Sequence, residues 1–291
     1  MNTIKKSLLL LLLVSLISVS CGDDEGSDSS ASGDELTSLP ADTGGTHTPK
    51  VLGSTTAAVG YYVYLPAGYD KVSSKYPLLV FLHGKTERGD GTNGQAVLDK
   101  VLANGPPKLI KNKQWNPPYP MIVVSPQYHD PAGNQNNWGG GSPAPLKAFI
   151  EHMISTYRVN EKRIYLTGLS HGGNGVYDYL TKQDESTSHI AAAAPVAAYG
   201  AGSGFQKSKS IPIWVFIGDK DGVNFTTSKN FVTNYNAQSP TPKHQAKISV
   251  FDAGHDVWTR TYSGSGMGTA DTSYDPFSVS LYSWMLDQKK D

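Results

Sequence analysis

The sequence has a single cysteine in 291 residues, Cys21, and no surplus of charge. A lone cysteine near the start leaves the rest of the chain without a disulfide, so stability must come from a hydrophobic core. The 25 basic and 25 acidic side chains cancel, which gives no support for nucleic acid as a partner. No set of histidine, cysteine or acidic residues has metal-ligand spacing, and no phosphate-binding glycine loop precedes a lysine. We therefore expect no bound metal.

The apolar run at residues 8–19 is too short to span a bilayer. Its length of about 12 residues suits the hydrophobic part of a signal peptide, and Lys5 and Lys6 precede it as the positively charged part. Small residues, Ser18 and Ser20, stand directly before Cys21. These features predict a signal peptide over residues 1–20.

Two cleavages fit this signal peptide. An ordinary signal peptidase would accept the small residues, whereas a lipoprotein peptidase would leave Cys21 as a lipidated N-terminus. The second is favoured, because a single cysteine followed by Gly22 and acidic residues resembles lipoproteins displayed on the surface of some Gram-negative bacteria. Ser18 departs from that pattern, where leucine is commoner. We expect an outer-membrane or cell-surface lipoprotein, the alternative being a periplasmic or extracellular protein, with no membrane contact other than the lipid.

The remaining chain divides by composition into two parts. Residues 21–50 are rich in Gly, Ser, Thr, Asp and Glu and contain little to bury, which predicts a flexible acidic tether. Residues 51–291 have a length that suits one domain rather than two.

Short apolar runs alternate with helical patterns throughout residues 51–291. Several runs are almost wholly apolar, as expected for parallel strands covered on both faces. The alternation predicts an α/β fold with a mostly parallel sheet of about seven to eight strands and helices on both faces. Strands are predicted at 61–65, 78–82, 121–124, 163–166, 190–194, 213–217 and 247–251, and helices at 95–103, 144–157, 173–181, 226–236 and 276–286.

Ser170 lies in the Gly-x-Ser-x-Gly pattern at residues 168–172, between a predicted strand and a predicted helix. This is the sharp turn that a nucleophilic serine needs, and the flanking glycines leave room for its strained backbone. The N-terminus of the following helix favours developing negative charge. We predict that Ser170 is a nucleophile.

His255 directly follows the last predicted strand, and two carboxylates follow the strand before it. The chain order of serine, acid and histidine places the base at His255. Asp221 is favoured as the acid because it lies further into its loop, where it can turn toward His255. Asp219 adjoins the strand end and suits a local contact, although it remains the alternative acid.

An oxyanion formed at Ser170 needs backbone N–H donors. We expect one from His171, directly after the nucleophile, and one from Lys85, in the loop after the strand at 78–82. His83 in the same loop is expected to form internal hydrogen bonds.

Three stretches, at residues 82–89, 164–173 and 254–258, together resemble the serine α/β-hydrolases. More narrowly they resemble bacterial feruloyl and acetylxylan esterases, polyhydroxybutyrate-depolymerase-like esterases and "predicted peptidases", over about residues 55–288. The resemblance implies the α/β-hydrolase fold and ester hydrolysis without a metal or organic cofactor. Two departures are His171, where methionine is commoner, and the Gly/Ser/Thr-rich stretch at 263–273, which leaves the shape of the cleft open.

Four side chains near these motifs are candidates for binding substrate. Trp138 is the leading candidate for a stacking wall, with loop packing as its alternative, and Tyr128 and His129 lie near it in the chain. Trp258 follows His255 by three residues, and core packing is favoured for it.

We therefore expect an exported carboxylesterase that acts through an acyl-enzyme, on feruloyl or acetyl esters of plant polysaccharide. A polyester depolymerase, acting on polyhydroxyalkanoate or an aromatic polyester, is the next candidate. A serine peptidase of the same fold and a catalytically silent binding protein remain alternatives. The partner expected is an ester substrate, polymeric in character, and no protein partner is inferred.

Overall fold

An eight-stranded sheet forms the centre of the computed structural model, which describes residues 35–129 and 138–291. Its spatial order is β1-β2-β4-β3-β5-β6-β7-β8, with β1 and β2 antiparallel to their neighbours and the other pairs parallel. The predicted strands are all present, and β1 is additional. The strands are β1 Thr46–Lys50, β2 Tyr61–Leu65, β3 Tyr76–Leu82, β4 Ile122–Pro126, β5 Val159–Leu169, β6 Ala192–Val196, β7 Trp214–Gly218 and β8 Lys247–Phe251.

Seven α-helices accompany the sheet within the described residues. α4 packs against β3, β5 and β6, α5 against β7 and β8, and α3 against β5. The last predicted helix begins only at Leu281, where Ser280 accepts a hydrogen bond from the Ser283 N–H at 3.0 Å. The helices are α1 Gln95–Leu98, α2 Gly105–Lys111, α3 Ala144–Thr156, α4 His171–Lys182, α5 Gly222–Asn236, α6 Trp258–Ser263 and α7 Leu281–Leu286.

The core lies on the central parallel strands. Every residue of β3 is buried, as are the last seven residues of β5, consistent with the unbroken apolar sequence of β3 and the mostly apolar end of β5. The register sets Leu82 beside Gly168, so β3 and β5 end together at one edge of the sheet. This edge holds the loops that follow the parallel strands.

Residues 35–50 belong to the domain. Leu36 and Leu39 are buried, and Thr46–Lys50 pairs with β2 along the sheet edge. The boundary predicted at residue 51 is therefore wrong, because a polar edge strand carries no apolar pattern and gains its order from pairing with β2. The predicted signal peptide, Cys21 and the tether as far as residue 34 lie outside the described residues. In residues 35–129 and 138–291, no helix has the length and apolar character needed to cross a membrane.

Candidate active site

Three polar side chains from different loops meet at the carboxyl edge of the sheet. Ser170 directly follows β5, while Asp221 and His255 lie in the loops after β7 and β8. Parallel strands end at the same edge, which is where open α/β sheets bind their ligands. The parallel direction of β5, β7 and β8 thus brings together residues that are far apart in the chain.

The backbone at Ser170 is strained, with φ 52° and ψ −118°. Its N–H donates to the Val196 carbonyl at 2.8 Å, which fixes the turn against β6. A methyl group on Gly172 would lie 2.0 Å from the Leu82 carbonyl oxygen, so only glycine allows α4 to approach β3 this closely. The turn holds the serine hydroxyl above the sheet edge, as a nucleophile elbow requires.

A continuous hydrogen-bonded chain links the three side chains. Ser170 Oγ lies 2.9 Å from His255 Nε2, and His255 Nδ1 lies 3.0 and 2.8 Å from the two carboxylate oxygens of Asp221. A carboxylate only accepts, so Nδ1 carries the proton and Nε2 is left to accept from the serine hydroxyl. The Asp221 side chain is 8% exposed and that of His255 43%, which leaves the histidine accessible and its acid buried.

Asp219 has a different position. Its Oδ1 accepts from the Ala253 N–H at 3.1 Å, and its own N–H donates to the Phe251 carbonyl at 3.0 Å. Asp219 thereby holds the start of the loop that carries His255. The structure thus brings Asp221 to the histidine and gives Asp219 the local contact.

Trp258 packs its ring against His255, edge to face, with 5.2 Å between the centroids. It is half-buried and also contacts the core. Packing against His255 and the core thus accounts for Trp258, for which core packing is the favoured interpretation and substrate binding the alternative.

The loop after β3 is built on a buried, neutral histidine. His83 Nδ1 donates to the Gly84 carbonyl at 2.6 Å, and Nε2 accepts from the Tyr128 N–H at 3.0 Å. Burial lowers the pKa of His83 from 6.5 to about 3, further lowered by His171 and Arg88 nearby and opposed by the bond to Gly84. His83 therefore ties the loops after β3 and β4 together. Lys85 begins the short 3-10 helix that follows, and His171 is the first residue of α4.

Glu87 adds a second buried polar contact in this loop. Its carboxylate accepts from Asn104 Nδ2 at 2.6 Å and from Thr86 Oγ1 at 3.0 Å, while its carbonyl accepts from Gln127 Nε2 at 2.9 Å. Asn104 and Gln127 come from other parts of the chain, so no local pattern marks them as partners. Glu87 fixes the loop that carries Lys85.

Trp138 supports the same loop from behind. It is only 7% exposed, and its Nε1–H donates to the His83 carbonyl at 3.1 Å. Its ring lies 4.8 Å from His83 and 5.6 Å from Tyr128, between centroids. Most of the Trp138 side chain therefore packs within the protein, in agreement with the loop-packing alternative.

Trp138, Tyr128 and His129 also line one side of a cavity of about 400 Å³. Its other walls are mostly apolar and come from the chain before β2 and the start of α3, including Val59, Leu146 and Phe149. Neither Ser170 nor His255 lines it. The cavity therefore adjoins the site through Tyr128 rather than opening on the serine.

Within residues 35–129 and 138–291, no group of three histidine, cysteine or acidic side chains is close enough to hold a metal ion. The chemistry available at the site is that of a hydroxyl, an imidazole, a carboxylate and backbone N–H groups.

Solved structures similar to this one have the α/β-hydrolase fold and include both esterases and peptidases. A thermostable esterase is 24% identical over 84% of this chain and 63% of its own, with a TM-score of 0.55. A ferulic acid esterase is 19% identical over 78% of this chain and 97% of its own, with a TM-score of 0.52. Dipeptidyl peptidase 4 of Porphyromonas gingivalis is 14% identical over 84% of this chain and 36% of its own, with a TM-score of 0.55.

The predicted α/β-hydrolase fold is thus confirmed. The chain spans 63% of the length of the thermostable esterase and about a third of that of the peptidase. No protein-family model and no curated protein matches the sequence.

Proposed function

We propose that this protein is a serine carboxylesterase that works through an acyl-enzyme. The observation that carries the proposal is the chain of hydrogen bonds from Ser170 through His255 to Asp221, on a strained strand-to-helix turn. Because Nε2 of His255 is placed to accept the serine proton, the hydroxyl can be activated at neutral pH.

The reaction follows from that arrangement. Ser170 Oγ attacks the ester carbonyl while His255 takes its proton, and backbone N–H groups of His171 and Lys85 stabilise the oxyanion. The C–O bond then breaks, and His255 returns the proton to the departing alcohol. Water, deprotonated by His255, attacks the acyl-serine and releases the acid. Asp221 holds the tautomer and stabilises the imidazolium throughout.

The substrate we propose is a feruloyl or acetyl ester on plant polysaccharide. The ferulic acid esterase named above supports it, since that fold likeness extends over 97% of the esterase chain.

A panel of acyl esters, peptides and polyesters, assayed with wild type and Ser170→Ala, tests the proposal. We expect hydrolysis of acetyl and feruloyl esters and none of peptides. Ser170→Ala should lower kcat by about 10⁶, as loss of a nucleophile does in serine hydrolases. Wild-type turnover by a folded Ser170→Ala protein, or cleavage confined to peptides, would overturn the esterase assignment.

We also propose that Cys21 is lipidated and anchors the enzyme at the cell surface. Glu35 bonds to Asn160 Nδ2 at 2.6 Å and to Lys289 Nζ at 3.1 Å. Asn160 is near the amino end of β5, whereas Ser170 follows its carboxyl end, about 30 Å away at the rise of a β-strand. Residue 35, through which an anchor at Cys21 would reach the domain, therefore lies near the end of β5 opposite Ser170.

Fractionating cells that express wild type or Cys21→Ser, with mass spectrometry of the mature N-terminus, tests the anchor. We expect Cys21→Ser to move the enzyme to the soluble fraction with its esterase activity intact. An unmodified Cys21 in a soluble wild-type protein would contradict lipidation and leave the esterase proposal unaffected.

A further inference from the structure

Two large apolar side chains are exposed on the rim of the candidate site. Tyr199 is 52% exposed and Val223 62% exposed. Among side chains that the structure describes, only Met267 and Val279 are large, apolar and comparably exposed. Single exposed apolar residues are ordinary on a protein surface. Tyr199 and Val223 differ because they follow β6 and β7, the two strands that come next to each other on one side of β5, which carries Ser170 at its end.

The contacts of these residues place them next to the triad. The Tyr199 N–H donates at 2.9 Å to Asn174 Oδ1, and the Asn174 N–H donates at 3.0 Å to the Ser170 carbonyl. Val223 follows Asp221 by two residues, in the first turn of α5. The backbone of Tyr199 is therefore linked through Asn174 to that of Ser170, and Val223 lies just beyond Asp221, at the start of α5.

The two positions are also joined to each other. The Gly200 N–H donates to Thr227 Oγ1 at 3.1 Å, and Thr227 Oγ1 donates to the Val223 carbonyl at 2.9 Å. A methyl group on Gly200 would lie 2.4 Å from the Thr227 carbonyl oxygen, so the segment after β6 packs directly on α5. We call Tyr199 and Val223 together the rim pair.

The backbone beneath Tyr199 is fixed on every side although its ring is exposed. The Ala197 N–H donates to the Phe216 carbonyl at 2.8 Å, and the Ala198 carbonyl accepts from Ser228 Oγ at 2.8 Å. Ala197 has a φ of 49°, which is unusual for a residue with a side chain. An aromatic ring on a fixed backbone loses little freedom when it binds a ligand, since only its own rotamers must be ordered.

The charges near the rim pair offer no surplus of cations that would select an anionic ligand. Lys220 and Asp252 form an ion pair with each other in the loops after β7 and β8. Asp219, exposed beside Lys220, accepts a hydrogen bond from the Ala253 N–H. The rim pair itself adds an aromatic ring and an aliphatic side chain to this surface. Such a surface suits the flat, partly apolar face of an uncharged sugar ring, against which tyrosine packs while its hydroxyl stays in water.

We propose that the rim pair binds sugar units of the polysaccharide that carries the scissile ester. The inference rests on the proposed esterase function and specifies which part of the protein contacts the polymer. It assigns the polymer to the β6–β7 side of Ser170, opposite the cavity at Tyr128. Tyr199 and Val223 are then residues that determine preference for polymer over small esters.

Kinetics on a feruloylated xylo-oligosaccharide and on methyl ferulate test this assignment. For Tyr199→Ala combined with Val223→Ala we expect kcat/KM on the oligosaccharide to fall about tenfold, mainly through KM, and to fall at most about twofold on methyl ferulate. Tyr199→Phe keeps the ring and should retain most of the activity on the oligosaccharide. Val279→Ala is the matched control, because Val279 is a similarly exposed valine before α7. This variant should leave kcat/KM unchanged on both esters. Equal losses on both esters, or no loss, overturn the inference.

Binding of an unesterified xylo-oligosaccharide to Ser170→Ala, measured by calorimetry, separates the two proposals. If the rim pair binds sugar, adding Tyr199→Ala should weaken the affinity about tenfold, whether or not the wild type hydrolyses esters. Ester hydrolysis with sugar binding indifferent to Tyr199 overturns the rim pair alone. Sugar binding that depends on Tyr199, in a protein that hydrolyses no ester, overturns the esterase alone.

Discussion

The two sides of Ser170 are built differently. On the β3–β4 side, His83 and Trp138 are buried and hydrogen-bonded, with 1% and 7% of their surfaces exposed. On the β6–β7 side, the backbone is just as firmly held, but Tyr199 and Val223 project into solvent. Rigid backbone is therefore common to both sides, and what differs is whether the side chains contact protein or remain available to a ligand.

This difference assigns separate tasks to the two sides. Substitutions on the buried side should disturb the position of the loop that carries Lys85, and therefore both folding and catalysis. Substitutions at the rim pair should leave folding unchanged and alter only the contact with substrate. The comparison can be tested by substitutions matched across the two sides.

Within this comparison, the largest effect separates two carboxylates of the β6–β7 side. Asp221→Asn should lower kcat by about 10⁴, because an amide in place of the carboxylate favours the wrong tautomer of His255. Asp219→Asn should lower it far less, since Asp219 contacts only the backbone of the histidine loop. Steady-state kinetics on a chromogenic acetyl ester measure both.

Circular dichroism of each variant is the control for folding in that experiment. If Asp219→Asn lost more activity than Asp221→Asn while both remained folded, Asp219 would be the catalytic acid. The hydrogen bonds at His255 would then describe a resting arrangement only.

The next effect concerns stability on the buried side. Trp138→Ala should lower the free energy of unfolding by about 3–5 kcal/mol, the usual cost of removing a large buried aromatic side chain. Tyr199→Ala, on the exposed side, should change it by no more than about 0.5 kcal/mol. Urea unfolding of both variants gives the comparison directly.

Trp138→Phe refines the same measurement. It keeps most of the buried ring but removes the N–H that donates to the His83 carbonyl. A buried carbonyl left without its donor costs about 1–3 kcal/mol, which is the loss of stability expected for Trp138→Phe.

The comparison of the two alanine variants can also fail. If Tyr199→Ala lowered the free energy of unfolding as much as Trp138→Ala, the division of tasks between the two sides would be wrong.

The sequence predicted the parts of the molecule that local patterns determine. Gly168, Ser170 and Gly172 predict the elbow because the sharp turn requires small residues at that spacing. The order of apolar runs predicts a parallel sheet, and hence the edge where the polar loops meet. These features depend on residues that are close together in the chain.

The features that the sequence missed depend on contacts between distant segments. Strand β1 has no apolar pattern and is held by pairing with β2. The partners that hold Glu87, at positions 104 and 127, are marked by no local pattern. Tyr199 is an ordinary loop tyrosine until the bond of its N–H to Asn174 places its backbone beside that of the serine. Pairing across the fold, not residue type, determines the role of each.

The smallest effect, taken per pH unit, is a pH dependence of stability set on the buried side by His83. Burial lowers its pKa from 6.5 to about 3, so between these values the unfolded chain takes up a proton that the folded protein does not. Stability therefore falls as the pH decreases through this range, by about 1.4 kcal/mol per pH unit for one proton. His47, whose pKa burial lowers to about 4, acts in the same direction.

The variant His83→Gln tests this effect, because glutamine cannot take up a proton. Its free energy of unfolding is measured in urea between about pH 4 and pH 6. We expect that free energy to change with pH less steeply than in wild type, by about 1.4 kcal/mol per pH unit. His47→Gln should flatten the slope separately, and the double variant should add the two effects. An unchanged slope in folded His83→Gln would mean that His83 is not held neutral, and that the loop after β3 is less tightly enclosed than its hydrogen bonds to Gly84 and Tyr128 indicate.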